Sequence, residues 1–132
     1  MNFEARNFDK EKHYDLMKSW YVARGLEAPA PENLSPVGCL VETCGKPIAA
    51  GFIYENNTPN PVISNLISDS SVERQTRSNA VDFLIINLYK ACEYRGYKSV
   101  LCSSNFEPAK KHFEKLGFEK VEENVTIYRR VF

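Results

Sequence analysis

The sequence predicts one α/β domain in which strands and amphipathic helices alternate along the chain. Segments with apolar residues at helical spacing are separated by short runs rich in β-branched or aromatic residues. Glycine, proline, asparagine or aspartate lies at most of the joints between these segments. The 132 residues suffice for a single domain, 1–132, that buries roughly two-thirds of the surface exposed by its unfolded chain.

The first half of the chain predicts a strand, a helix and a hairpin. The segment FEARNF alternates loosely between apolar and polar residues, which is typical of a half-buried strand. Asp9 is a favourable N-cap for the helix that follows, and Gly25 is a typical stop. Several prolines then predict a loop without regular structure. The predicted elements are a strand at 3–8, a helix at 10–24, a loop at 26–36 and paired strands at 37–43 and 47–54.

The second half predicts two strand–helix units and a last strand. A polar turn, ENNTPNP, precedes the fourth strand, and Gly96 ends the long helix that follows that strand. Pro108 suits the first turn of the last helix, and Gly117 marks its end. The predicted elements are a strand at 62–67, a helix at 77–95, a buried strand at 100–102, a helix at 108–116 and an alternating strand at 125–131.

The composition argues against several classes of function. The 17 basic and 17 acidic side chains cancel, so the chain has no overall field for nucleic acid or an anionic membrane. No apolar run reaches the length of a transmembrane helix and the N-terminus lacks a signal-peptide pattern, which predicts a cytoplasmic protein. The 4 cysteines form no CxxC pair and the 2 histidines lie far apart, so we expect reduced thiols and no metal site.

The last predicted helix carries a recognisable pattern. An asparagine after a strand, followed by a helix that closes on Glu-Lys-Leu-Gly-Phe, resembles the last conserved block of the GNAT superfamily of N-acetyltransferases. That block reads roughly Asn-x-x-Ala-x-x-aromatic-Tyr-Glu-x-x-Gly-Phe, and this chain has one extra residue before the alanine. The position usually held by tyrosine is Phe113. The matching residues are Asn105, Ala109, Glu114, Gly117 and Phe118.

The resemblance has implications for the whole chain. The predicted order of elements is similar to the GNAT fold, a mixed, mostly antiparallel sheet that splays between strands four and five to admit acetyl-CoA. The resemblance thus implies acetyl transfer to an amine on a small molecule or protein, and it allows a homodimer. The region from Trp20 to Gly25 and the proline loop are also similar to small GNAT-type proteins of tailed phages.

The resemblance also implies a cofactor site around the fourth strand and the following helix. In the superfamily an Arg/Gln-x-x-Gly-x-Gly/Ala run brings backbone amides and a helix N-terminus to the pyrophosphate. Two registers fit here, 77–82 and 75–80, and neither contains a glycine. In the first register, Asp82 lies in the first helical turn, where its negative charge would oppose the binding of a phosphate. The implied cofactor-binding residues are Leu66, Ile67, Ser68, Arg74, Arg77, Ser78, Asn79, Ala80 and Asn105.

The catalytic assignment is incomplete in this sequence. Phe113 has no proton to give to a departing thiolate, and loss of a positioned acid typically costs ~10²–10⁴ in rate. The proton donor could instead be Ser103, Ser104 or His112. His112, however, lies about 100° around the helix from Phe113.

The fourth strand offers Asn65, which cannot accept a proton, so a base would be Asp69, Glu42 or a water chain. Trp20 and Tyr21 are the predicted walls of an acceptor site. The alternative function is that of a catalytically impaired GNAT-fold protein that serves as a binding or inhibitory module.

Overall fold

A computed structural model of the chain describes residues 2–103 and 107–132. Helices and strands follow one another in the order that the sequence predicts, except at the C-terminus. The strands and helices are β1 (Phe3–Asn7), α1 (Lys10–Ala23), β2 (Val37–Thr43), β3 (Lys46–Tyr54), β4 (Val62–Ser68), α2 (Arg74–Tyr94), β5 (Leu101–Cys102) and α3 (Glu107–Lys115). No helix within the described ranges is long and apolar enough to cross a membrane.

The strands form one mixed sheet in the order β1-β2-β3-β4-β5. Successive strands from β1 to β4 pair antiparallel, and β5 pairs parallel to β4 because α2 crosses between them. The β2–β3 turn is formed by Cys44 and Gly45, with φ of 51° and 74°. Two consecutive left-handed residues are typical of the tight hairpin turn that matches strand twist. The predicted hairpin and mixed sheet are thus confirmed.

The sheet has a hydrophobic core on each face. On one face, Met17 and Trp20 of α1 pack against alternate residues of the central strands, including Phe52. On the other face, Leu84 and Leu88 of α2 pack against the intervening strand residues, whose side chains point to that face. Because β3 alternates between both cores and is almost completely buried, it anchors the whole sheet.

Helix boundaries depend on capping side chains. The Asp9 carboxylate accepts hydrogen bonds from the backbone N–H groups of Glu11 and Lys12, which confirms the predicted start of α1. Helix α2 begins at Arg74 and not at Arg77, because the Glu73 carboxylate caps it. Glutamate is not among the preferred N-cap residues, so the sequence pattern placed this start about one turn too late.

Two predictions about irregular segments are wrong. The proline loop contains a single 3₁₀ turn, Pro31–Asn33, in which Pro31 supplies a fixed φ at the first position. The predicted strand at 125–131 is not formed, and residues 118–132 contain no strand. A strand requires a hydrogen-bonded partner, and β5 is only two residues long. The prediction that the strand at 100–102 is buried is also wrong, because Leu101 is 43% exposed.

Candidate functional site

The sheet opens between β4 and β5. The two strands pair only through Val62 with Leu101 and Ile63 with Cys102. Beyond that point, 64–68 of β4 has no strand partner on its β5 side within the described residues. Helix α2 follows β4 and α3 follows β5, so the two helices continue from the two sides of the gap. We call this gap the β4–β5 opening. An extended ligand can bind there by pairing with backbone groups of β4 that no strand pairs within the described residues.

A β-bulge shapes the β4 side of the opening. Asn65 has a φ of 56°, and the pairing between β3 and β4 shifts register opposite it. The bulge changes the phase of β4, because Ile63 and Leu66 both pack in the α2-side core whereas Ile67 packs in the α1-side core. Left-handed backbone at a non-glycine residue is uncommon and often marks a functional position.

Gly51 allows the bulge to pack closely against β3. A Cβ added at Gly51 would lie 2.5 Å from Cδ2 of Leu66 and 3.0 Å from Cδ1 of Leu88. The Leu66 side chain therefore fills the space that any other residue at this position would occupy. The bulge thus depends on contacts from both a neighbouring strand and α2.

Polar side chains lie on the α1 side of the bulge. The Asn65 amide donates a hydrogen bond to the phenolic oxygen of Tyr54. Burial raises the pKa of Tyr21 to about 12, with a further contribution from the nearby Tyr54. Tyr21 is thus a neutral hydroxyl at physiological pH. Trp20 is only 3% exposed and belongs to the α1-side core, so it offers almost no surface to an acceptor.

The N-terminus of α2 already holds a negative charge. Glu73 accepts hydrogen bonds from the backbone N–H groups of Gln75 (3.0 Å) and Thr76 (2.8 Å), and from the Thr76 hydroxyl (3.0 Å). The hydrogen bonds from Thr76 and Gln75 lower the pKa of Glu73, so the carboxylate is ionised at neutral pH. These are the amides that would otherwise bind an anion at this helix end.

Arginines around this helix start bind the protein's own backbone. Nη1 of Arg77 donates to the carbonyl oxygens of Ser70 (3.2 Å) and Val72 (3.0 Å), which braces the β4–α2 loop. Arg24, which the sequence analysis did not identify, donates to the backbone oxygen and hydroxyl of Ser68 and ties α1 to the end of β4. Arg74 is exposed on the first turn of α2. Of the two predicted phosphate ligands, Arg77 therefore has a structural role in this conformation.

The remaining predicted cofactor residues have different environments. Ser78 is half-buried, and the exposed Asn79 accepts a hydrogen bond from the Gln75 side chain. Ala80 is fully buried in the α2-side core, so its side chain packs on the sheet. The predicted residues Ser104 and Asn105 lie outside the described residues.

Neither carboxylate predicted as a base is well suited to that role. Burial raises the pKa of Asp69, but hydrogen bonds from Ser71 and the charges of Lys46 and Arg24 outweigh burial, so the pKa is lowered. Asp69 is thus a weak base at neutral pH. Glu42 is on β2, is 7% exposed and pairs with Arg6. Strand β3 lies between β2 and β4, so Glu42 does not border the β4–β5 opening.

The interface between α2 and α3 has an aromatic part and a charged part. Phe113 is 7% exposed and its ring centroid lies 5.6 Å from that of Phe118, which in turn lies 6.0 Å from Tyr89. In the charged part, Asp82 binds Nδ1 of His112 and Nζ of Lys115, each at 2.6 Å. We call these three residues the Asp82 bridge.

The predicted position of Asp82 in the first turn of the helix is wrong, because the helix begins at Arg74. Asp82 therefore lies more than two turns into α2, away from the helix end where a phosphate would bind. No group of three or more potential metal ligands occurs in the part of the chain that the structure describes.

Comparison with known proteins defines the fold class. No protein-family model and no curated protein sequence matches the chain. Solved structures do match, among them glucosamine-6-phosphate N-acetyltransferase from Arabidopsis thaliana, with 16% identity, a TM-score of 0.69 and coverage of 97% of this chain and 99% of that one.

Two further structures superimpose over nearly the full length. AAC(6')-Iy in complex with the bisubstrate analogue CoA-S-monomethyl-acetylneamine has 14% identity, a TM-score of 0.72 and coverage of 99% and 100%. A transcriptional regulator from Bacillus halodurans C-125 has 12% identity, a TM-score of 0.73 and coverage of 97% and 100%. The chain therefore has the GNAT fold, which its structural neighbours use chiefly for acetyl transfer.

Proposed function

We propose that the protein is an acetyl-CoA-dependent N-acetyltransferase. The observation that carries the proposal is the β4–β5 opening with the bulge at Asn65. The pantetheine arm of CoA contains amide groups, which can pair as an added strand would with the edge of β4 that has no strand partner within the described residues. A neighbour with the same fold was solved in complex with a CoA bisubstrate analogue, which supports this ligand class.

We assign roles to the residues that border the opening. Leu66, Ile67 and Ser68 would contribute their backbone groups to the cofactor, and Arg74 would contribute its exposed guanidinium. Asn65, through its amide and the adjacent hydroxyl of Tyr54, would border the acceptor. The proposal includes an acceptor amine on a small molecule or a protein. It also includes a cytoplasmic location, a phage-type origin and a homodimer.

The proposal predicts one-to-one binding of CoA. A ligand that binds only the native state stabilises it, by ~2.7 kcal/mol when its concentration is 100 times the dissociation constant. We therefore expect a calorimetric isotherm with a single site and a rise in the melting temperature with CoA. The matched control is pantothenate, which lacks both the cysteamine group that carries the thiol and the nucleotide of CoA. Absence of both heat and thermal shift at millimolar CoA would contradict the proposal.

A second candidate function is that of a binding module that has lost catalysis. The observation that favours it is the Glu73 carboxylate on the α2 N-terminus, in a segment without glycines. A fold by itself does not determine activity. A protein that binds acetyl-CoA but transfers no acetyl group to a broad panel of amines would be such a module. Release of free CoA that depends on an added amine would instead support the acetyltransferase.

The cap residue gives a test of where the phosphates bind. Replacement Glu73→Ser keeps a good N-cap but removes the negative charge from the helix end. A negative charge at a helix N-terminus opposes the binding of a second anion there, so CoA affinity should rise about two- to fivefold, measured by calorimetry at low salt. The control Glu93→Ser removes the same charge from the opposite end of α2. An equal effect of both changes would place the phosphates elsewhere.

A further inference from the structure

The Asp82 bridge joins the two helices that continue from the separated strands. Asp82 lies on α2, which follows β4, whereas His112 and Lys115 lie on α3, which follows β5. Each oxygen of the carboxylate has its own partner, since Oδ1 binds His112 Nδ1 and Oδ2 binds Lys115 Nζ. A contact between these helices spans the gap between their strands.

The level of the bridge along the sheet follows from the packing of α2. Leu84 and Leu88 pack over Gly51, and Gly51 lies against Leu66 at the bulge. Asp82 is about half a turn before Leu84, so it lies near the part of β4 that has separated from β5. The bridge is thus level, along α2, with the separated part of β4, and it lies more than two turns from the helix end where a phosphate would bind.

The bridge fixes the proton on one nitrogen of His112. Burial raises the pKa of Asp82, but hydrogen bonds from Lys115 and His112 and their charges outweigh burial and lower it, so the carboxylate is ionised. An ionised carboxylate only accepts hydrogen bonds, and therefore Nδ1 of His112 carries the proton. In the neutral ring, Nε2 is then the basic nitrogen. Nε2 has no hydrogen-bond partner among the described residues.

We propose that His112 transfers the proton in the acetylation reaction and that Asp82 is its positioning residue. This inference rests on the proposed function. The amine nitrogen forms a bond to the thioester carbonyl carbon, and the carbon–sulfur bond breaks. The proton lost by the nitrogen passes to Nε2 of His112 and from there to the thiolate sulfur, which yields the acetylated amine and free thiol.

Other groups near the opening are less suited to this role. Asp69 has a lowered pKa and its carboxylate is bound by Ser71. Tyr21 has a pKa raised to about 12. Phe113 has no hydroxyl and packs in the aromatic part of the α2–α3 interface. His112 combines an orienting partner with a second ring nitrogen that has no hydrogen bond to any residue in 2–103 or 107–132, and its side chain is 16% exposed.

The decisive variant is His112→Asn. The amide nitrogen of asparagine occupies nearly the place of Nδ1, so it can still donate to Asp82, while Nε2 is removed. We expect kcat to fall about 100-fold or more, with CoA affinity in calorimetry unchanged within twofold. The matched control is His13→Asn on α1, which should retain wild-type turnover.

A second variant tests the positioning role of Asp82. In Asp82→Asn the amide can donate to Nδ1, which moves the ring proton to Nε2 and removes the base. We expect a 10- to 100-fold lower kcat and a changed tautomer signal in ¹⁵N NMR of the ligand-free protein. Turnover of His112→Asn within threefold of wild type would overturn the inference while leaving the proposed function intact. Absence of turnover in the wild type would overturn both.

Discussion

Replacement of Asn65 by valine should abolish measurable CoA binding, whereas replacement by glycine should preserve it. A left-handed φ of 56° is accessible to asparagine and glycine but costs a β-branched residue ~1–2 kcal/mol. Valine also loses the hydrogen bond to Tyr54, which adds ~0.5–1.5 kcal/mol. We therefore expect β4 to lose its bulge, so that Leu66 and Ile67 exchange faces.

The comparison of the two variants separates backbone conformation from side-chain chemistry. Glycine lacks the Asn65 amide just as valine does, so both lose the contact with Tyr54, and only valine opposes the bulge. CoA affinity from calorimetry and the free energy of unfolding in urea report the two effects. Equal binding by Asn65→Val and Asn65→Gly would show that the bulge is dispensable for the cofactor.

Replacement of Trp20 by alanine should reduce the free energy of unfolding by ~3–5 kcal/mol. Trp20 is 3% exposed and packs with Met17 and Phe52 between α1 and the sheet. Because small domains are stable by only ~5–15 kcal/mol, this loss should leave a marginally folded protein. The same burial predicts that Trp20 supports the site through packing and does not contact the acceptor.

A matched variant distinguishes packing from acceptor binding. Trp20→Phe keeps a buried ring and should cost only ~1–2 kcal/mol, with the KM for the amine unchanged. Unfolding must be followed by circular dichroism, because Trp20 is the only tryptophan and its loss removes the fluorescence signal. A raised KM in Trp20→Phe at unchanged stability would return Trp20 to the acceptor wall.

The sequence was most informative where structure depends on near neighbours. Asp9 caps α1 and Gly25 and Gly117 follow helices with φ of 69° and 92°, so the letters alone predicted those boundaries. The turn residues Cys44, Gly45 and Lys46 likewise predicted the hairpin between the strands at 37–43 and 47–54. These signals are local, because caps and strand periodicity involve residues a few positions apart.

Features that depend on distant contacts were not predictable in this way. The bulge at Asn65 requires Gly51 on β3 and Leu88 on α2, and nothing in the letters of β4 reveals it. The contact between Asp82 and His112 joins residues 30 positions apart and depends on how α2 packs on α3. The alternation at 125–131 predicted a strand, but alternation cannot supply a hydrogen-bonded neighbour.

The hairpin turn between β2 and β3 affects how any assay must be run. Cys44 is exposed at that turn, whereas burial raises the pKa of Cys39 and Cys102 to about 11 and raises that of Cys92. Thiol-selective dyes will therefore react first with Cys44, and a colorimetric reading of liberated CoA will include this background. Asparagine tolerates left-handed backbone, so Cys44→Asn would remove this background without straining the turn. In the natural sequence, Cys44 is the exposed cysteine to which a fluorophore can be attached.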